Sequence, residues 1–189
     1  MAYALQGGSS MQTGARVNPK QMTDILFALP RYKSYRKQEV ALDLEEFYRL
    51  TLCTMLQDCA QRLVDYSESP IHSLGNDQLL VLEKNIDSMH TVYDRLFRQG
   101  EIKIETPAII AHLNQLDADI IMTLEFVWNS VSEMLDIIED KKQFRSMSQL
   151  INKTLYNLTE TAEKRNSLMG LGWESEIGLK SEGANSADA

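Results

Sequence analysis

The chain has 189 residues, of which 43% are apolar and 24% charged, and its net charge is −8. That length suits one domain with extensions, and that balance excludes wholesale disorder. No apolar run reaches the roughly 20 residues that cross a bilayer, and Met1 to Met11 lacks the basic start and apolar core of a secretory signal.

The charge is unevenly spread. Residues 1–37 hold six Lys/Arg and one acid, a net of +5, whereas the remainder holds thirteen bases and twenty-six acids, a net of −13. Phosphate contacts need a basic face, so the acidic body reads as a poor nucleic-acid binder and the first 37 residues as a separate basic arm.

Residues 1–17 are rich in Gly, Ser and Gln, carry no periodicity and read as a flexible tail. Asn18-Pro19 then starts a short helix over 19–29, with Met22, Ile25, Leu26 and Leu29 on one face, and Pro30 stops it. A helix this short does not hold alone in water, so its apolar face must dock on its own bundle, on a second copy or on another protein. Arg31, Tyr32, Lys33, Tyr35, Arg36 and Lys37 follow, bases interleaved with aromatics. That pattern suits either a solvated linker or a grip on single-stranded nucleic acid or an anionic membrane surface.

From Val40 to Met169 apolar residues recur at helical period in four long segments, with no strand pattern between them. The first runs from Gln38 to Tyr66, with a stripe of Val40, Leu44, Tyr48, Leu52, Met55, Cys59, Leu63 and Tyr66, widened by Phe47, Leu56 and Ala60. The second runs from Asn76 to Arg98. Its Leu79, Leu82, Ile86, Met89, Tyr93 and Leu96 alternate by three and four, a coiled-coil seam. Gly100 closes it, and the alternating Glu101–Glu105 reads as an extended connector.

Thr106 and Pro107 open the third and longest helix, predicted to reach Lys141. Its stripe, from Ile109 through Leu113, Leu116, Ile120, Leu124, Val127, Val131 and Met134 to Ile138, keeps the period of a straight helix. The fourth covers Gln143 to Leu168, with Phe144, Met147, Ile151, Leu155, Leu158 and Ala162 inward and Gly170 as its cap. The link between the third and fourth lacks Gly and Pro, so either a tight turn lies there or the two form one bent helix. Residues 170–189 form a tail in which Trp173 stands out, because tryptophan is enriched where proteins bind one another.

The sequence therefore predicts an all-α, antiparallel four-helix bundle over 38–169, with an extra short N-terminal helix and flexible tails. Catalytic and metal motifs are sparse. There is no Glu-x-x-His, no Gly-rich phosphate loop and no nucleophile elbow, and acid pairs such as Glu45-Glu46 splay around a helix. Cys53 and Cys59, six apart on one helix, read as core thiols of a cytoplasmic protein. His112 invites comparison with histidine phosphotransfer bundles, but Asn114 and Gln115 stand where that family carries Lys and Gly.

The reading is a non-enzymatic interaction protein, an adaptor, assembly factor or chaperone-like bundle, with no cofactor and no metal. It is expected to self-associate and to engage a protein partner through Met22, Ile25, Leu26, Leu29, the 31–37 linker and Trp173. The alternatives are a regulator that contacts nucleic acid or membrane through the basic arm, and a phosphotransfer module at His112.

Overall fold

The computed structural model describes residues 38–71, 73–97 and 107–171, with side chains described from 45 onward in the first helix and from 108 onward in the third. Those residues form four helices and no strand: α1 (Gln38–Ser67), α2 (Asn76–Leu96), α3 (Pro107–Asp136) and α4 (Lys141–Leu168). The helices pack on one another as an all-α four-helix bundle. The proposed helix over 19–29, the 31–37 linker, the connector at 101–105 and Trp173 lie outside the described residues.

Each helix contacts two others, in the cyclic order α1, α2, α4, α3. Cross-helix bonds fix the directions. Tyr48 of α1 bonds to Asp117 of α3, and Arg62 to Ser132, so these two helices run side by side in the same sense. Asp77 of α2 pairs with Arg145 of α4 and Arg95 with Glu163, so α2 and α4 are also parallel. The Arg49 guanidinium lies over the Phe97 ring, early α1 against the end of α2, and Arg165 of α4 reaches Asp117 of α3, so these pairs run antiparallel. The antiparallel contacts are thus the two hairpins, α1–α2 and α3–α4, and their parallel partners meet side by side.

The core is the stripe of the sequence made solid. Leu52, Met55, Cys59 and Leu63 of α1, Leu82 and Met89 of α2, Ile120 through Met134 at helical spacing in α3, Ile138 in the turn after it, and Phe144, Ile151, Leu155 and Leu158 of α4 are buried. Removing that much apolar side chain from water is the main force holding the bundle together. One predicted core position differs: Phe47 is 48% exposed. It lies one residue off the Glu45–Tyr48–Leu52 line, and a step of 100° around the helix turns it outward.

The third helix also ends earlier than its stripe suggests. Asp140 stops it, accepting hydrogen bonds from the backbone N–H groups of Lys142 (3.1 Å) and Gln143 (3.0 Å) as the N-cap of α4. Three turn residues, Ile137 to Glu139, precede it. Capping satisfies donors that a continuous helix would have paired internally, so the tight turn wins over the single bent helix. Gln78 braces the same end. Its amide donates to the Ile138 carbonyl at 3.0 Å, while its oxygen accepts from the Gly75 N–H at 2.9 Å. At the other end Gly170, with φ of 76°, turns α4 off, and the Leu171 N–H returns to the Asn166 carbonyl at 2.8 Å.

Candidate interaction face

Two polar assemblies interrupt the apolar core. The larger centres on Arg165, which is fully buried. Its Nε donates to Asp117 Oδ1 at 2.7 Å and its Nη1 to Glu45 Oε1 at 3.1 Å. Its guanidinium also stacks 4.9 Å from the centre of the Tyr48 ring, whose hydroxyl donates to the Asp117 carbonyl at 3.1 Å. Glu45 meets Arg49 on its other oxygen at 3.4 Å. Three helices are therefore tied at one point, including α1 and α4, which sit on a diagonal of the bundle.

Electrostatics follow from that burial. Burial opposes the Arg165 charge, but Asp117, Tyr48 and Glu45 outweigh it and hold its pKa above the ordinary arginine value. Burial likewise pushes the Asp117 carboxyl up, against the pull of Arg165 and its hydrogen bonds. The Tyr48 hydroxyl is driven well above its usual range by burial and by the neighbouring Asp117.

The second assembly joins α2 to α4. Asn85, fully buried, donates to Ser148 Oγ at 2.7 Å and to the Val81 carbonyl at 2.7 Å; Ser88 donates to Asn152 at 2.6 Å. Both assemblies are fixed inside the protein and read as devices that set register.

The groups singled out for chemistry stay apart. Cys53 and Cys59 are both buried, and burial pushes their thiols up to about 11 and about 12, so neither is a ready nucleophile. His90 and His112 are exposed on different helices. Among the described residues no group of three or more His, Cys, Asp or Glu side chains is placed to hold a metal ion. A cleft of about 220 Å³ opens between the starts of α2 and α4, with Asp77, Lys141 and Arg145 in its wall, but Arg145 already spends a guanidinium N–H on Asp77 at 3.0 Å. No described helix is long and apolar enough to cross a membrane.

The outer surface is more informative. Charge segregates by helix. Over thirty residues α3 carries five acids (Asp117, Asp119, Glu125, Glu133, Asp136) and no Lys or Arg. Its parallel neighbour α1 carries six acids against Arg49 and Arg62. Arg62 is held inward by Ser132 at 2.9 Å and by the Trp128 ring at 5.1 Å. By contrast α4 carries six bases against two acids.

Apolar side chains emerge on the same acidic pair. Phe47 and Leu50, one turn apart on α1, are 48% and 41% exposed; Met122 and Phe126, one turn apart on α3, are 53% and 45% exposed. The bonded pairs Tyr48–Asp117 and Arg62–Ser132 set the α1–α3 register at an offset of 69 to 70 residues. Met122 and Phe126 therefore sit about one to two turns beyond Leu50 along the shared direction. The two pairs lie on different sides, because Trp128 and Ser132 face α1 through Arg62 and, at 100° per residue, Phe126 lies about 160° around α3 from Trp128, on the outer side of that helix with Met122. Elsewhere exposed apolar side chains are more scattered, as Ile71 in a turn, Leu80 on α2, and Leu150 and Tyr156 on basic α4.

The sequence-derived contact residues Met22, Ile25, Leu26, Leu29, Arg31, Tyr32, Lys33, Tyr35, Arg36, Lys37 and Trp173 all lie outside the described residues. Sequence reasoning missed the exposed pair on α3, although Met122 and Phe126 at i, i+4 on the polar side of an otherwise regular stripe were a visible signal. It also missed the Arg165 assembly, whose charged members occupy core register. The fold and its faces define a four-helix bundle with a polarised surface. No family model, curated protein or solved structure matches the chain.

Proposed function

We propose that this protein is a non-enzymatic helical-bundle interaction protein whose acidic helix α3 receives, on its outer side, an amphipathic, basic segment of a protein partner. The observation that carries this reading is the exposed pair Met122 and Phe126, one turn apart on the outer side of α3, a helix with five acids and no Lys or Arg. Apolar anchors supply affinity in such a contact, while charge sets orientation and encounter rate. An isologous dimer through this face would set acid against acid, so the charge pattern favours a different, basic partner.

The test is a fluorescence anisotropy titration of the full chain with two labelled synthetic helices of identical apolar pattern, one with Lys and one with Glu on the polar face. The Lys peptide should bind, more weakly at high salt, and Met122→Glu with Phe126→Glu should abolish binding. Equal binding of the Glu peptide, or unchanged binding to that double variant, would reject the proposal.

A further inference from the structure

The outer side of α3 shares its flank of the bundle with α4. Phe126 lies two residues before Trp128, which faces α1 through Arg62, and Leu150 lies two residues before Asn152, which faces α2 through Ser88. Two residues are about 200° of turn on a helix, so Phe126 points away from α1 and Leu150 away from α2. In the cyclic order α1, α2, α4, α3, both directions lead out through the side where α3 and α4 stand next to each other. Met122, Phe126 and Leu150, 53%, 45% and 44% exposed, therefore emerge on one side of the bundle. One of its two helices is acidic and the other basic.

Building on the reading of α3 as an interaction surface, we propose that the basic segment it receives is α4 of a second copy. Two chains then pair through their α3–α4 sides about a two-fold axis that runs along the bundle. A two-fold that laid α3 on α3 would oppose acids. This one lays each α3 on the α4 of the other chain, so the same contact forms twice and the assembly closes as a dimer.

Register agrees with that axis. The helices α3 and α4 are antiparallel and level, since Asp136 and Lys141 bracket the turn at one end and Asp117 meets Arg165 towards the other. A two-fold along the bundle keeps heights, so each residue of α3 meets the other chain's α4 at the height it has beside its own. Asp136 is then level with Lys142, Glu125 with Lys153, and Asp119 lies close to the level of Lys164. Met122, Phe126 and Leu150 fall between these charges, an apolar centre with a charged rim. The described ion pairs of α4 use Arg145, Glu163 and Arg165, and Lys142, Lys153 and Lys164 are exposed. Area is sufficient as well. With 30 and 28 residues, the two helices present a side of roughly 42 Å by 20 Å, close to the ~800 Å² that each partner gives to a stable contact.

Charge reversal in the full chain decides the matter, read as absolute mass by light scattering after gel filtration at micromolar concentration. The parent should be a dimer. One variant carries Lys142→Glu, Lys153→Glu and Lys164→Glu; the other carries Asp119→Lys, Glu125→Lys and Asp136→Lys. Each alone opposes like charges across the contact, and its dissociation constant should rise roughly a hundredfold or more, leaving monomers. Mixed in equal amounts, the two restore opposite charges at both contacts and should form a heterodimer, an outcome that misfolded chains would not give.

A monomeric parent, a dimer that survives either reversal, or two monomeric variants that stay apart when mixed would each overturn the proposal. If the parent is monomeric while the Lys peptide still binds at Met122 and Phe126, the second copy is wrong and the interaction surface of α3 stands. If neither the dimer nor the peptide complex forms, both fail.

Discussion

Replacing Arg165 by methionine should be the most damaging single change in the described core. The guanidinium has 0% exposure and neutralises Glu45 and Asp117, whose side chains are 5% and 11% exposed. Methionine keeps much of the side-chain length but leaves the buried Asp117 carboxylate without its cation, and leaves Glu45 with Arg49 alone. Breaking a buried pair from one side costs about 3–5 kcal/mol, because the surviving charge stays desolvated. A domain has roughly 5–15 kcal/mol in total, so the variant should lose about a fifth or more of its stability. With a urea m-value of about 2 kcal/mol per molar, the midpoint should fall by about 1.5–2.5 M. The assay is urea unfolding followed by circular dichroism at 222 nm. A companion variant, Arg165→Met with Asp117→Leu, removes the unpaired Asp117 carboxylate while Glu45 stays on Arg49, and should recover most of the loss. A loss below about 1 kcal/mol in the single variant would show that this guanidinium contributes as a surface group does, and would refute the argument.

Three further outcomes follow from named contacts. Asn85→Ala removes both donors that tie α2 to Ser148 and to the Val81 carbonyl, and should cost about 1–3 kcal/mol in the same assay. Native protein at pH 8 should react with Ellman's reagent only as fast as it unfolds, since burial holds the two thiols near 11 and 12, while denatured protein should release two equivalents at once. Backbone N–H bonds from Gln143, together with its side chain and the Lys142 N–H, hold the Asp140 carboxyl below the ordinary 3.8. Its stabilising effect is therefore full above pH 3.8 and is lost as pH falls through the lower folded-state pKa. Asp140→Ala should lower the melting temperature at neutral pH, and the gap to the parent should close in strong acid.

The helices were legible because their apolar residues repeat at 3.6 and their breaks carry Pro, Gly or a capping acid. Leu52, Leu82, Leu124 and Leu155 needed no further information to be placed inside. Asp140 was harder to see, since the apolar stripe of α3 continues through Ile138 and a side-chain cap overrides it locally. Arg165 was invisible to a hydropathy pattern for a plain reason. It stands three residues after Ala162, on the core line, and Asp117 stands four after Leu113 on the same kind of line. A charged residue in core register is a contradiction along one helix and resolves only when another helix supplies the opposite charge. The interaction face needed the bundle as well. Met122 and Phe126 share one side of α3 by their spacing, but only the packed bundle shows that side left exposed.

The most direct measurement places a photo-reactive benzoylphenylalanine at Met122, at Phe126 and, as a reference, at Lys153 on basic α4, each in the full chain in its native cells. The account predicts that Met122 and Phe126 capture the same basic protein segment and that Lys153 does not. Adducts concentrated at Lys153 and absent at the two α3 positions would contradict it.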